Sequence, residues 1–145
     1  MSVRFAVDTN CIIAAVSAWH GNHRAAAEEI ERRLGRGEQM TVAVHALTEA
    51  YSVLTRFPAP HRLTPADAWA VLSTSFYEGG SAVALTARQH ADLLGRLAEI
   101  GVAGGRTYDA IVAECALRAG AVALLTFNAR HFEPAPEGIV IVVPA

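Results

Sequence analysis

Three acidic residues differ from the other acids of the chain because aliphatic or aromatic residues surround each of them. They are Asp8 in FAVDTNCII, Glu49 in HALTEAYSVL and Asp109 in RTYDAIVAECAL. Burying an ionised carboxylate is costly unless a cation or strong hydrogen-bond donors compensate the charge. Three carboxylates in one apolar cleft repel one another, and a divalent cation between them would remove that repulsion. Oxygen ligands with no nearby set of Cys or His favour Mg²⁺ or Mn²⁺ over Zn²⁺.

Short apolar strands that alternate with amphipathic helices must position these acids. Residues 3–7 form an apolar run with little alternation, which is typical of a central parallel strand covered on both faces. Further strands are predicted at 40–44, 82–85, 122–126 and 139–143, with helices over 23–34, 45–57, 65–78, 87–100 and 106–119. This alternation predicts an α/β fold with a parallel sheet and right-handed crossovers.

Parallel connections bring the carboxyl ends of strands one, two and four to one edge of the sheet. Asp8 directly follows the first strand, where open α/β sheets bind their ligands. Glu49 lies on the helix that follows the second strand, and Asp109 lies in the first turn of a later helix, where the helix dipole favours negative charge. The alternative is that Asp8 and Asp109 only cap helices and that Glu49 is a surface acid.

Length and composition indicate one compact domain over residues 1–145, with 52% hydrophobic residues and enough chain to bury a core. No apolar run approaches the roughly 18 residues that span a membrane. The two cysteines lack metal-ligand spacing and are typical of a reducing compartment, so we expect a cytoplasmic protein. The net charge of −2 provides no general attraction to nucleic acid, although all 12 basic residues are arginine.

Other chemistries lack their motifs. No G-x-G-x-x-G follows the first strand, and neither a Walker A sequence nor a G-x-S-x-G elbow is present. A phosphatase with an aspartyl nucleophile, of the haloacid dehalogenase type, usually requires D-x-D after the first strand, and Asn10 occupies the second position. Glu114, four residues before Arg118, is interpreted as half of an ordinary exposed helix pair.

The ordered set of motifs resembles a PIN domain. These motifs are D-T-N after the first strand, L-T-E-A-Y, the helix Y-D-A-I-V-A-E-C-A and the late T-F-N-A-R-H-F. Their order and approximate spacing are similar to those of bacterial VapC-type toxins. The resemblance implies a PIN-like α/β/α sandwich with a central parallel sheet of four to five strands in the order 3-2-1-4-5. It gives Asp8, Glu49 and Asp109 the roles of acidic metal ligands, supported by Thr9, Asn10 and Thr126.

One residue departs from the family pattern. Many PIN domains carry a fourth acid after the fourth strand, and Asn128 holds that place here. An asparagine oxygen can coordinate Mg²⁺ or hold a water but adds no charge, so one or two metal ions both remain open. Thr9, Thr126 and Asn128 are expected to orient ligands and water. Arg106 and Arg130 are candidates for contacts with RNA phosphates.

The resemblance implies a Mg²⁺- or Mn²⁺-dependent endoribonuclease that acts as the toxin of a type II toxin–antitoxin system. Metal-activated water would cleave the RNA phosphodiester and leave a 5′-phosphate. The implied partners are RNA, a cognate antitoxin protein and a second copy of the chain. The apolar run from Ala110 to Ala119 is interpreted as surface for the homodimer and for an antitoxin segment. The alternative is a catalytically weak or inactive PIN-like module that binds RNA or protein.

Overall fold

A five-stranded parallel sheet forms the centre of the molecule, described by a computed structural model for residues 2–145. The strands lie in the order β3-β2-β1-β4-β5, so the predicted order 3-2-1-4-5 is confirmed with five strands. In the central register, Phe5 of β1 is opposite both Met40 of β2 and Ala123 of β4. The strands are β1 (Arg4–Val7), β2 (Gln39–Ala43), β3 (Ser81–Val83), β4 (Ala123–Leu125) and β5 (Val140–Val142).

Within residues 2–145, six α-helices flank the sheet and complete an α/β/α sandwich. Sequence-encoded caps set two of their starts. The Thr64 hydroxyl accepts a hydrogen bond from the Asp67 amide at 3.1 Å, and Thr86 forms a reciprocal capping box with Gln89. No helix within residues 2–145 combines the length and apolar character that crossing a membrane requires. The helices are α1 (Thr9–Val16), α2 (His23–Gly35), α3 (Val44–Leu54), α4 (Pro65–Leu72), α5 (Ala87–Ile100) and α6 (Arg106–Arg118).

Two non-α helical segments refine the sequence prediction. The helix predicted over 65–78 is α4 followed by a π-helix, Ser73–Glu78, because apolar spacing alone does not distinguish the two hydrogen-bond patterns. A 3₁₀ helix, Ala129–Phe132, follows β4, where the sequence indicated only a polar cluster. This short helix orients the side chains of the late T-F-N-A-R-H-F motif beside the carboxyl end of β4.

The core confirms that β1 is covered on both faces, because Phe5, Ala6 and Val7 are all buried. Most of the run from Ala110 to Ala119 is buried, so it does not form a broad exposed surface, but Ala110, Ala113 and Leu117 line a groove of the predicted apolar kind. The small residues of α6 allow this helix to pack closely against the core of its own chain.

Glu114 also differs from its prediction as a member of an exposed pair. It is buried, and it accepts a hydrogen bond from Arg118 at 2.9 Å and contacts Arg96 at 3.1 Å. Two arginines therefore compensate the charge of this acid at the contact between α5 and α6.

Candidate active site

Asp8 lies at the junction between β1 and α1 and is only 5% exposed. Its backbone amide donates to the Leu125 carbonyl at 2.9 Å, which extends the pairing of β1 with β4 to the acid itself. One carboxylate oxygen accepts from the Thr9 amide at 2.8 Å and thereby caps α1. The other accepts from the Thr126 hydroxyl at 2.8 Å. Asp8 is thus a helix cap, as the alternative held, and also a buried acid held in one orientation.

The hydroxyl of Thr126 connects the ends of β1 and β4 through three hydrogen bonds. It donates to Asp8, and it accepts from the side-chain amide of Asn10 at 3.3 Å and from the backbone amide of Asn128 at 3.0 Å. The oxygen of Asn10 in turn accepts from the Phe127 amide at 3.1 Å. A hydroxyl has one donor and two acceptor positions, and all three are used here. This network determines which way the Asp8 carboxylate faces.

Glu49 and Asp109 reach the same cleft from two other elements. Glu49 projects from α3, which begins directly after β2, and Asp109 projects from the first turn of α6. Together with Asp8 they line a cavity of about 480 Å³. His131 also lines this cavity, and its Nδ1 lies 3.2 Å from an Asp109 carboxylate oxygen.

Burial and repulsion between the carboxylates both raise the pKa values of Asp8 and Asp109. The pKa of Asp8 is raised from 3.8 to about 6, chiefly by burial and also by the nearby charges of Asp109 and Glu49, while hydrogen bonds from Thr126 and Thr9 oppose the rise. Burial also raises the pKa of Asp109, with His131 and Arg106 acting against it. Negative charge in this cleft is therefore incompletely compensated by the protein's own groups.

The donor set of the cleft fits a hard divalent cation. Its acids offer carboxylate oxygens, and the Thr9 hydroxyl beside Asp8 is buried with no hydrogen-bond partner among residues 2–145. Within that same range, no three His, Cys, Asp or Glu side chains lie close enough together to hold one metal ion as they stand. Joint ligation therefore requires side-chain rotation in the cleft, in particular of Asp109, which faces His131 in this structure.

The remaining predicted residues occupy different places around the site. Thr9, Asn10, Asn128 and Arg106 line the cleft, whereas Thr126 is fully buried behind Asp8. Arg130 is exposed on the 3₁₀ helix and is not among the residues that line the cleft in the described part of the chain.

Among the polar side chains that line the cleft, sequence reasoning did not assign a role to Arg56 or His131. Arg56 follows Glu49 by two helical turns, a spacing that returns to the same helix face and would have been a usable indication. His131 belongs to the T-F-N-A-R-H-F motif, but only the 3₁₀ turn brings it to Asp109.

Comparison with known sequences identifies the family of this fold and acid set. The model of the PIN domain matches residues 5–136. The chain belongs to the PIN domain family. This PIN domain is 41% identical to ribonuclease VapC40 of Mycobacterium tuberculosis over 128 residues, which cover 88% of the chain and 89% of that protein. It is 35% identical to ribonuclease VapC27 of the same organism, over 78% of the chain and 77% of the relative. The sequence resemblance to VapC-type PIN domains is confirmed.

Solved structures share the fold at low sequence identity. Mycobacterium tuberculosis VapC20, described as a Sarcin-Ricin loop cleaving toxin, superposes with a TM-score of 0.69 at 19% identity, covering 97% of this chain and 99% of that one. A chain of Rickettsia felis VapBC2, bound to a DNA fragment from its promoter, gives a TM-score of 0.69 at 16% identity, with 99% and 100% coverage. These matches show the PIN architecture, whereas the roles of individual residues stay predictions.

Proposed function

We propose that this PIN domain is a Mg²⁺- or Mn²⁺-dependent endoribonuclease and the toxin of a type II toxin–antitoxin pair. The observation that carries the proposal is the convergence of Asp8, Glu49 and Asp109, from three separate elements, on one cleft. The pKa values of two of these acids are raised, which is expected of carboxylates placed to share a cation. The names of the relatives, ribonucleases VapC40 and VapC27, support the same class of reaction.

Each residue of the site has a distinct role in the proposed reaction. Asp8, Glu49 and Asp109 would hold the ion through their carboxylate oxygens, and Thr126 fixes the orientation of Asp8. Thr9, Asn10 and Asn128 line the cleft and are placed to orient a ligand or a water. A divalent ion, when bound, supplies Lewis acidity and lowers the pKa of water at the site. In-line attack of water on the phosphorus would break its bond to the 3′ oxygen, leaving a 3′-hydroxyl on the upstream fragment and a 5′-phosphate on the downstream one.

Two arginines that line the cleft are suited to hold the RNA backbone. Arg56 lies just after α3, and Arg106 is the first residue of α6. Guanidinium groups bind phosphate oxygens in a bidentate manner and place the scissile bond without reading its sequence. We extend this role to Arg56 and retain Arg130 as a weaker candidate, because it is exposed outside the cleft.

The test of the activity is cleavage of structured RNA by the purified chain, freed of any antitoxin. We expect cleavage in Mg²⁺ or Mn²⁺, none in EDTA, and 5′-phosphate ends on the products. Asp109→Asn should abolish cleavage without unfolding the protein, because it removes charge from the cleft while nearly preserving side-chain shape. Asp67→Asn is the matched control, since Asp67 also lies in the first turn of a helix but is exposed and does not line the cleft.

The second candidate function is a PIN-like module that binds RNA or protein without cutting. Asn128, in the place of the fourth acid of many relatives, is the observation that favours it. If the unmutated protein and Asp109→Asn released products at the same rate, the activity would come from a contaminant and the binding function would replace the enzymatic one.

We also propose that an antitoxin segment binds beside the active site. A second groove of about 290 Å³ lies between α5, α6 and the 3₁₀ helix, and its walls include Leu97, Ala110 and Phe132. It shares Arg106, Asp109 and His131 with the cleft, so a segment that filled it would also block access to the acids. The structural neighbours include VapBC structures, among them one from Salmonella typhimurium bound to DNA.

The homodimer stays a prediction, although most of the run from Ala110 to Ala119 that suggested it is buried. Exposed apolar side chains instead lie around a cavity between α3, α4 and the π-helix, namely Val44, Tyr51, Trp69 and Tyr77. Sedimentation velocity at tens of micromolar would show the dimer. A single monomeric species at that concentration would exclude it.

A further inference from the structure

We propose that an aromatic surface around Trp19 forms a base-binding subsite, in which an unpaired nucleobase beside the cleaved phosphodiester stacks. The proposal rests on the ribonuclease function above, because it concerns how the same cleft holds its RNA. Trp19 lies in the loop between α1 and α2, and its side chain is 46% exposed. We call the Trp19, His20, Phe57 and His61 side chains the aromatic platform.

The platform is built by ring contacts between two segments that are distant in sequence. The Trp19 indole stacks on the His61 imidazole with centroids 4.0 Å apart and planes at 20°. The Phe57 ring meets the indole edge-on at 5.1 Å, and the His20 ring lies at 5.6 Å. These contacts hold a large exposed indole in one place, as a preformed stacking surface requires.

The loop that carries Trp19 is itself restrained by hydrogen bonds. The His20 amide donates to the Ser17 carbonyl at 2.9 Å, and the Asn22 amide donates to the His20 Nδ1 at 3.0 Å. The His23 ring nitrogen Nδ1 lies 2.9 Å from the Ala14 carbonyl at the end of α1. An exposed tryptophan on a restrained loop loses little conformational entropy when a flat ligand binds it.

A cavity of about 290 Å³ adjoins the catalytic cleft and reaches the platform at two of its four residues. It is bordered by His20 and Phe57 of the platform. Four residues line both this cavity and the cleft, so the two form one continuous depression: Asn10, Ile13, Val53 and Asn128. A strand whose phosphate lies at the acids can therefore place a neighbouring base in the second cavity without leaving the surface.

The chemistry of the second cavity suits a nucleobase better than a charged or wholly apolar ligand. Ile13, Val53 and Phe127 supply apolar walls. Asn22, also on its border, is exposed, and its side chain makes no capping hydrogen bond at the start of α2. A free amide beside flat apolar surfaces is the combination with which proteins stack a base and hydrogen-bond its edge.

Tryptophan fluorescence provides a direct test that needs no cleavage. The chain has two tryptophans, so Trp69→Phe leaves Trp19 as the sole indole. This variant is titrated in EDTA with a short single-stranded oligoadenylate and with a sugar–phosphate oligomer of equal length that lacks bases. We expect the oligoadenylate to quench Trp19 emission and the abasic oligomer to leave it unchanged, because both carry the phosphates but only one can stack.

The affinity of the same oligoadenylate gives the second measurement, by fluorescence anisotropy of a labelled strand. Trp19→Ala should weaken binding about 10-fold, whereas Trp19→Phe should retain much of the affinity. Leu94→Ala is the matched control, because Leu94 is 45% exposed, nearly the same as Trp19, but lies on α5 and lines neither the cleft nor the second cavity. Thermal melting of each variant separates loss of binding from loss of the fold.

The outcomes distinguish the subsite from the ribonuclease function. If the unmutated protein cleaves RNA but Trp19→Ala binds the oligoadenylate as tightly as Leu94→Ala does, only the subsite is refuted. Equal quenching by the abasic oligomer would also overturn it. If Trp19→Ala instead dissociates a dimer and leaves oligomer binding intact, the platform is an interface between copies of this chain. A folded protein that neither binds nor cleaves RNA would remove both proposals together.

Discussion

Replacing Asp8 by asparagine should stabilise the metal-free protein against unfolding at neutral pH. The pKa of Asp8 is raised by burial, and by the charges of Asp109 and Glu49, from 3.8 to about 6. As pH rises, the unfolded chain releases this proton near 3.8, whereas the folded protein keeps it until about pH 6. Because the folded state binds more protons in that interval, the free energy of unfolding falls as pH increases and is lowest above pH 6. Asparagine does not titrate in this range, so Asp8→Asn avoids this decrease in the free energy of unfolding.

The expected magnitude follows from the shift and from the hydrogen bonds of the site. The rise from 3.8 to about 6 corresponds to about 3 kcal/mol. The side-chain NH2 group of asparagine would replace one carboxylate oxygen of Asp8. It would then face either the Thr9 amide, which is itself a donor, or the Thr126 hydroxyl, whose two acceptor positions are already used. One lost hydrogen bond costs about 1 kcal/mol. The net gain should therefore be about 2 kcal/mol at pH 7.5, which is roughly 4–8 °C in melting temperature.

Thermal melting in EDTA, followed by circular dichroism at pH 7.5 and pH 4.5, measures this gain. At pH 4.5 the raised pKa of Asp8 destabilises the folded protein by only about 1 kcal/mol. The hydrogen bond lost in Asp8→Asn costs about the same, so the two proteins should melt at nearly the same temperature. Asp67→Asn, at an exposed acid, should show no such pH-dependent difference. Millimolar Mn²⁺ should reverse the order, because it stabilises the unmutated protein by binding its native state. The reasoning is refuted if Asp8→Asn melts no higher than the unmutated protein at pH 7.5, or if the difference in melting temperature is the same at both pH values.

Three further substitutions test the site and its support. Thr126→Val removes the donor that lowers the pKa of Asp8, so the acidic limb of the pH profile of kcat/KM should move to higher pH; an unmoved limb would contradict this. Asn128→Asp restores a fourth carboxylate, and it should lower both the Mn²⁺ concentration for half-maximal cleavage and the melting temperature in EDTA. If neither changes, residue 128 does not contribute to metal binding. Glu114→Gln should lower the free energy of unfolding in urea by about 1–2 kcal/mol, because the buried carboxylate pairs with Arg118, with RNA cleavage unchanged.

The sequence predicted the parts of the fold that depend on local burial. The unalternating run through Phe5 and Val7 indicated a strand covered on both faces, and both side chains are buried. The helices predicted to begin at residues 65 and 87 begin there, each directly after a capping threonine. The position of Asp8 at the carboxyl end of the first strand also followed from the sequence, because a strand that ends in a polar residue places it at the sheet edge. The strand order came from the resemblance to PIN domains rather than from periodicity.

Burial was mispredicted where charge compensation, rather than residue type, decides the environment. Glu114 was expected to be exposed because its spacing from Arg118 suits a surface pair. Arg96, on the preceding helix, supplies a second cation that allows the acid to be buried. The alanines of α6 looked like an interface because a helix rich in small apolar residues packs equally well inside its own chain and against a partner.

The composition of the candidate site was largely readable from the sequence, but its organisation was not. Residue types and spacing selected the three acids and brought them to one edge of the sheet. The bond from Thr126 to Asp8, the contact of His131 with Asp109, and the stacking of Trp19 on His61 each join segments far apart in the chain. Periodicity reports only which face of an element is apolar. Which polar atoms then meet across elements depends on strand order, register and loop path, and these are properties of the assembled tertiary structure.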